Sequence, residues 1–582
     1  MSDYKPLSAI TDQDVAALRA SGHFDEQWYL TEYPDVRISR IDPARHYLWI
    51  GKILGRSASK SELERVRGIG LRWCILAPPH VLFIAHSLAE NLRRHGWSVD
   101  ILLSSPAEFT HDYYIVMCAQ MFDRLPPGEK RIVYQLEQSA SSRWFSDKYL
   151  SDMENSFAVL EYSLQNIEFL ESKGIAYPQV YYLPIGTSPS YGGKIAAAKD
   201  IDVLFYGDYK SCPRRQRLLD WAETRFKVVR ADTVFGEEIK ALIKRSKLVL
   251  NLHYYEGAQL EMPRIQECLS LGTPIVSETT SDQGDYQDLE GAVSFFETGN
   301  SQAMLAAIAA VLNDPHAATQ GVQLAADAWH RRHLFMLDRF LIGAGILPTE
   351  ALDKMVPEPV TNGALYALSL PETIKRRRVF DTETRTPATR VFDGIRRRPG
   401  WIGCGMSYKY LCQSALKSGI DQFTIIEDDA LLSAQHDAKM KIVLDYLAAH
   451  EGEWDIFSGV IANLHDDTKV LNVRSFGGLE FITINKMTST VFNIYSVNAF
   501  KKIAEWNQNN ENAEINTIDR YLEHSGLRIV TTDPYIVGHR EELHSTLWGF
   551  QNTQYRDMIA ESERNLSSLK IAWLKSSVTR GR

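Results

Sequence analysis

The densest cluster of chemistry-bearing residues is FTIIEDDALL, where Glu427, Asp428 and Asp429 close an apolar, β-type run. Three adjacent carboxylates repel one another, and a hard divalent cation, Mn²⁺ or Mg²⁺, would neutralise them. An acidic turn facing water is the plainer reading of the same triplet. A second cluster stands upstream: Gly207 ends the strand-like VLFYG, Arg214 and Arg215 follow it, and Glu267 precedes Gly272-Thr273-Pro274. A strand ending in Gly lets the backbone approach a ligand closely, and the Arg fork matches phosphate oxygens, so this set suits a diphosphate. Arg214, Arg215 and Arg217 read equally as the solvated start of a helix. His253, in NLHYYEG, ends a strand of the same region, either as a ligand contact or as a satisfied core histidine.

These residues need elements to position them. From about 68 to 345, short β-rich runs alternate with amphipathic helices, the rhythm of parallel sheets with crossover helices. LRWCILA, SVDILLSS, DYYIVMCA and KRIVYQL are strands of a first half; IDVLFYG, FKVVRA, KLVLNL and TPIVSE are strands of a second. Two such Rossmann-like halves, 66–190 and 191–345, enclose a cleft beyond their strand carboxyl ends. Residues 346–363 hold three prolines and end in Asn-Gly, a linker pattern, and 364–582 form a further mixed α/β domain. Residues 1–65 predict a small helical module, in which Trp28, Tyr29, Tyr33, His46, Tyr47 and Trp49 share one helical face. That stripe is the module's own core or, less simply, a docking surface.

The chain has 582 residues, 45% apolar and 24% charged, which suits several globular units and argues against disorder, collagen and coiled coil. Its 64 basic and 73 acidic side chains leave a net charge of −9, so no nucleic acid polymer is expected as a partner. Six scattered cysteines without a C-x-x-C pair fit a reducing cytoplasm. The first residues lack a secretion signal, and no apolar run approaches the roughly 18 residues that span a bilayer. Membrane association, if any, is expected to be peripheral, at the inner face of the cell membrane.

Four stretches carry family resemblances. FDEQWYLTEYPDV with DPARHYLWIGKILGR resembles a short module found beside bacterial polysaccharide glycosyltransferases. ECLSLGTPIVSE resembles the GT-B glycosyltransferases of family 4 with their E-x7-E signature, which gives Glu267 the donor-ribose role. Gln259 stands where the first Glu of that signature is usual, with Glu256 and Glu261 beside it as substitutes. Pro78, Pro79 and His80 occupy the turn where the family carries a Gly-rich loop. GWIGCGMSYKYLCQSALKSGIDQFTIIEDDALL resembles the inverting GT-A glycosyltransferases of family 25, which include lipooligosaccharide galactosyltransferases. Gly403, Cys404 and Ser407 match, while Tyr408 replaces the usual His. ALYALSLPETIKRRRVF mirrors the family's opening strand and double Arg through Arg376 and Arg377, which could face the diphosphate or be solvated helix charges.

The resemblance implies a nucleotide-sugar donor, UDP-sugar by suggestion, and a glycan or lipid-linked glycan acceptor. Asp519 in NTIDRYL is the candidate base by motif position, or else a helix cap. Glu427 and Asp429 are the expected metal contacts, Asp428 a ribose or metal contact, and His539 or His544 a further ligand. The expectation is a two-headed glycosyltransferase, GT-B then GT-A, building a bacterial surface glycan such as lipopolysaccharide or capsule. Two alternatives stand beside it: only the C-terminal domain is catalytic and the GT-B unit is an acceptor scaffold, or the chain is a non-catalytic carbohydrate-binding assembly protein.

Overall fold

The computed structural model describes residues 7–52, 56–66, 70–140, 142–192, 198–255, 257–545 and 551–580. The chain divides into two compact units, one of Met1–Val66 with Leu341–Arg582 and the other of Arg67–Phe340.

The Arg67–Phe340 unit contains two wholly parallel sheets. The first runs β1 (Arg72–Leu76), β2 (Ser98–Leu102), β3 (Tyr113–Met117), β4 (Arg131–Gln135), β5 (Ala158–Glu161) and β6 (Val180–Tyr182), in spatial order β2-β1-β3-β4-β5-β6. The second runs β7 (Ile201–Tyr206), β8 (Val228–Ala231), β9 (Ser246–Asn251), β10 (Ile275–Glu278) and β11 (Val293–Phe296), in order β11-β10-β9-β7-β8. Their inner strands, rich in Val, Ile, Leu and Tyr, are largely buried on both faces, as parallel sheets with crossover helices require, while the edge strands β2 and β8 are partly exposed. In each sheet the order reverses at one point, between β1 and β3 and between β7 and β9. Ligands of open α/β sheets bind outside the strand ends at such points.

Beyond Leu341 stands a mixed eight-stranded sheet. Its strands are β12 (Leu365–Ser369), β13 (Thr389–Asp393), β14 (Gln422–Glu427), β16 (Ile456–Ser458), β17 (Val470–Phe476), β18 (Leu479–Ile484), β19 (Phe492–Ser496) and β20 (Ile529–Thr532), ordered β13-β12-β14-β19-β16-β20-β18-β17. A separate ribbon pairs β15 (Ala430–Leu432) with β21 (Val537–His539), Ala430 facing His539. The helix Gly400–Ser418 starts after Pro399 and stops at Gly419, whose φ of +64° lies in the left-handed region that favours glycine. Gly405 lets this helix meet Trp506, since a Cβ there would collide with the indole. Gly403 lies against the backbone of Ile395–Arg397 in the same way. Among the elements of this domain that escaped the sequence patterns are the β17–β18 hairpin, turned by Gly477-Gly478 at φ +58° and +87°, and the helix Thr553–Arg580.

The N-terminal segment is helical, as its pattern predicts. Thr11 and Asp14 form a capping box on Asp12–Ala20, and Asp25 and Asp42 cap the helices that begin at Glu26 and Pro43. Its aromatic stripe is core rather than surface at the centre: Tyr29 and Tyr47 are buried with Val36 and Ala58, and the Tyr29 hydroxyl lies 3.1 Å from His46 Nδ1.

Candidate functional sites

The cavity of the two-sheet unit, about 450 Å³, opens beside both reversal points. The turn Pro79–Ile84 after β1 forms one wall; Tyr206, Gly207 and Asp208 after β7, and Glu261, Arg264 and Glu267 of the helix Met262–Ser270 with its preceding residue, form another. Gly207 has φ +123°, and a Cβ there would stand 3.1 Å from an Arg264 guanidinium nitrogen. The missing side chain therefore opens the Arg264 guanidinium to the cavity. Arg264 donates to the Tyr206 carbonyl at 3.0 Å and to Asn251 Oδ1, and its buried Nε has no partner. It went unnoticed in the sequence although it shares a helix face with Glu267 three residues on, the one pattern that would have found it. Glu267 accepts hydrogen bonds from the Tyr191 and Tyr206 hydroxyls at 2.9 and 3.3 Å, and burial raises its pKa against these bonds.

The other expected donor contacts are engaged inside the fold. Arg214 forks the fully buried Glu278 carboxylate and donates to the His253 carbonyl at 3.0 Å. Arg215 is 5% exposed, donates to the carbonyls of Leu252 and Asp208, and is lowered to about 10, mainly by burial. Neither lines the cavity, so the expectation that this pair meets a diphosphate gives way: buried guanidinium groups need acceptors, and these have found protein ones. His253 is likewise internal, with its backbone N–H on Glu278 and Nδ1 2.8 Å from Glu261 Oε2. Burial opposes its charge, but Glu261 outweighs burial and raises its pKa. The same contact holds Glu261 down at about 2 against its own burial. Gln259 is buried and bonds Gln138, Ser139 and Ser163 of the first half; it does not itself line the cavity, although Gln138 does. Of the two glutamates beside it, Glu261 lines the cavity, while Glu256 lies outside the described residues.

A second cavity, about 130 Å³, lies in the C-terminal domain. It gathers Arg376, Glu427, Asp429, Asp519, His539 and Asn552. β14 delivers the acidic triplet, and the β15–β21 ribbon brings His539 Nε2 to 3.5 Å from Asp429 Oδ2. Arg376 Nε donates to Asp428 at 3.0 Å and Nη2 to Asp429 at 2.9 Å. Asp428 also accepts from Ser369 at 2.7 Å and does not line the cavity; it is a brace for Arg376. Arg377 points elsewhere, pairing with Asp381 and Asp393 at 3.5 and 3.4 Å, so only one arginine of the expected pair reaches this site. Burial and then the Asp429 charge push Glu427 up to about 7, whereas His539 and Arg376 hold Asp429 well below the usual range despite burial.

Cys404 lines the cavity, but Ser407 is structural, donating to the Gly403 carbonyl and accepting from Ile395 N–H at 2.8 Å each. Tyr408 reaches Glu427 Oε1 at 3.3 Å. Asp519 lines the cavity; it lies inside the helix Ile518–Glu523, whose N-cap is Thr517, and accepts the Arg520 N–H at 2.9 Å, so the helix-cap reading gives way. Ser545 lines it too, while the His544 carbonyl accepts from Arg376 and its ring does not line the site. Among the described residues no three His, Cys, Asp or Glu side chains form a group that would by itself hold a metal ion. None of the described helices is long and apolar enough to cross a membrane.

Residues 193–336, in the second half of the two-sheet unit, match a glycosyl transferase-like family model. No curated protein matches the chain. Among solved structures, a sucrose-phosphate synthase from Thermosynechococcus elongatus is 13% identical, covering 46% of this chain and 98% of that one, with a TM-score of 0.33. An alpha-glucosyltransferase in complex with UDP-glucose and DNA is 10% identical over 45% and 96%, TM-score 0.34. An Anabaena protein in complex with UDP and glucose is 12% identical over 46% and 98%, TM-score 0.32.

Proposed function

We propose that the chain is a two-headed glycosyltransferase that takes nucleotide-sugar donors at both cavities and extends a bacterial surface glycan. The observation that carries the reading is the placement, within the segment matched by the glycosyl transferase-like model, of Gly207, Arg264 and Glu267 on one cavity at the reversal point of the sheet. Gly207 gives a diphosphate room and Arg264 offers it a charged fork. Glu267 would accept from sugar hydroxyls, and Glu261 is a further carboxylate of the cavity.

The C-terminal cavity is lined by three carboxylates, Glu427, Asp429 and Asp519, and one guanidinium, Arg376, and the buried Oδ1 of Asp429 has no partner. This excess of acceptors fits Mn²⁺ or Mg²⁺, with Asp429 and His539 as protein ligands. Such ions are held by one or two carboxylates together with substrate phosphates, so a ready-made protein cage is not required. Bound there, the cation would neutralise the leaving diphosphate. Asp519 takes the acceptor hydroxyl proton as that oxygen bonds the anomeric carbon and the bond to the diphosphate breaks, releasing the nucleoside diphosphate. Arg376 holds Asp429 in place and Glu427 forms the adjoining wall. UDP is the expected nucleotide and a glycan or lipid-linked glycan the acceptor.

The test measures sugar transfer and donor hydrolysis with UDP-sugars, with and without Mn²⁺. Asp429→Ala should abolish the cation-dependent product, and Glu267→Ala the product of the other site. Retention of every product in Glu267→Ala would leave the first unit a scaffold, and insensitivity to both changes would refute catalysis at either cavity.

A further inference from the structure

The helix Thr553–Arg580 belongs to the C-terminal site. Tyr555 and Ile559 on its first turns line the cavity, together with Asn552 just before it. The helix is anchored downstream of those turns. Lys570 pairs with both Asp533 and Glu480 at 2.5 Å, Ser567 donates to Asp533 at 2.9 Å, and the Tyr535 and Ser562 hydroxyls lie 2.8 Å apart. With its body pinned to Glu480 of β18 and to Asp533 and Tyr535 just after β20, the start of the helix has a set position over the cavity.

Asn552 is 1% exposed. Its backbone is tied on both sides, N–H to the Leu543 carbonyl and carbonyl to the Tyr555 N–H, each at 2.9 Å. Its side-chain Nδ2 donates to Asp429 Oδ2 at 3.0 Å and to the Arg540 carbonyl at 3.2 Å, and lies 3.5 Å from His539 Nε2. Both amide hydrogens are thereby used, one on the carboxylate and one on the residue that follows His539. Asn552 Oδ1 is buried without a partner, as is Asp429 Oδ1. Two buried acceptors on one cavity wall, each lacking a donor, mark a place built for a cation or for donors that arrive with a ligand.

We propose that Asn552 is a positioning residue of the C-terminal site, fixing the Asp429 carboxylate against the His539 strand so that Asp429 Oδ1 stays directed to a bound divalent cation. Asn552 does not react; it restrains the rotamer of the ligand that does the binding, as partners behind metal ligands do. The inference rests on the cation reading above. It also gives the C-terminal helix a role in the site that its sequence position, past the last strand, does not suggest.

The test uses the full chain and Mn²⁺ alone, then Mn²⁺ with UDP, with free Mn²⁺ followed by electron paramagnetic resonance. Asn552→Ala should weaken Mn²⁺ binding by about 10- to 100-fold, the usual effect of losing such a partner. Near-ultraviolet circular dichroism should stay unchanged. Asn552→Ser keeps one donor in a smaller side chain and should recover part of the affinity; it carries the test if the alanine variant does not fold. A folded Asn552→Ala chain that binds Mn²⁺ like the wild type overturns the inference alone. A wild-type chain that binds no Mn²⁺ in either condition overturns the cation reading and the inference with it.

Discussion

Replacing Arg214 and Arg264 separately distinguishes an internal brace from a ligand contact. Arg214 has a side chain 16% exposed and its partner Glu278 is fully buried, so Arg214→Ala strands a carboxylate in the interior. Losing one partner of a buried pair costs about 3–5 kcal/mol. Glu278 keeps the N–H groups of His253 and Gly299, each at 2.8 Å, which places the expected loss near the lower figure, about 3 kcal/mol. Arg264→Ala deprives only Asn251 Oδ1 and the Tyr206 carbonyl of a donor, so the structural cost is about 1–2 kcal/mol. It does remove the guanidinium behind Gly207, and charge-assisted bonds worth about 1.5–3 kcal/mol translate into roughly ten- to a hundredfold weaker UDP binding. Urea denaturation followed by tryptophan fluorescence reads the first quantity and titration calorimetry with UDP the second. An Arg214→Ala chain of wild-type stability with lost UDP affinity, or an Arg264→Ala chain with unchanged affinity, would refute the assignment.

Two further outcomes are expected from the same unit. Glu261 is held at about 2 against an ordinary 4.5, so it stabilises the fold above pH 4.5 and that contribution drains away as pH falls from there towards 2. Its partner His253 is raised, so its share is complete below 6.5 and declines as pH climbs through the folded value. Melting temperature against pH should therefore fall less steeply between pH 4.5 and 2 in Glu261→Gln than in the wild type; parallel curves would contradict the pairing. Gly207→Ala puts a side chain at φ +123° and 3.1 Å from Arg264, a strain of about 1–3 kcal/mol, and should lower both melting temperature and UDP affinity. Unchanged UDP binding would show that the guanidinium is not reached past this glycine.

Much of the architecture was legible in the linear pattern because it is local. Apolar runs alternating with amphipathic helices specify parallel sheets whatever the remote partners, so β1–β4 and β7–β10 fall where periodicity puts them. The aromatic stripe of the N-terminal segment, the glycine closing β7 and the acidic triplet closing β14 were legible for the same reason. The β17–β18 hairpin and the C-terminal helix were passed over: the first alternates weakly, and the second is a polar helix whose anchors, Asp533 and Glu480, lie elsewhere in the chain.

The chemistry was sorted at another level. Charged side chains look alike in sequence, and only burial tells which are spent on the protein. Arg214, Arg215, Arg377 and Asp428 found internal partners, while Arg264, Arg376, Glu261 and Asp429 came to line cavities. Asn552 had no motif, because its meaning comes from Asp429, a residue reached through the pairing of β15 with β21. The sequence by itself determined the kinds of sheet and the ends of the strands where ligands gather. The tertiary structure alone decided which charges remain available there, because a buried charge must be paired and the pairing is set by residues distant along the chain.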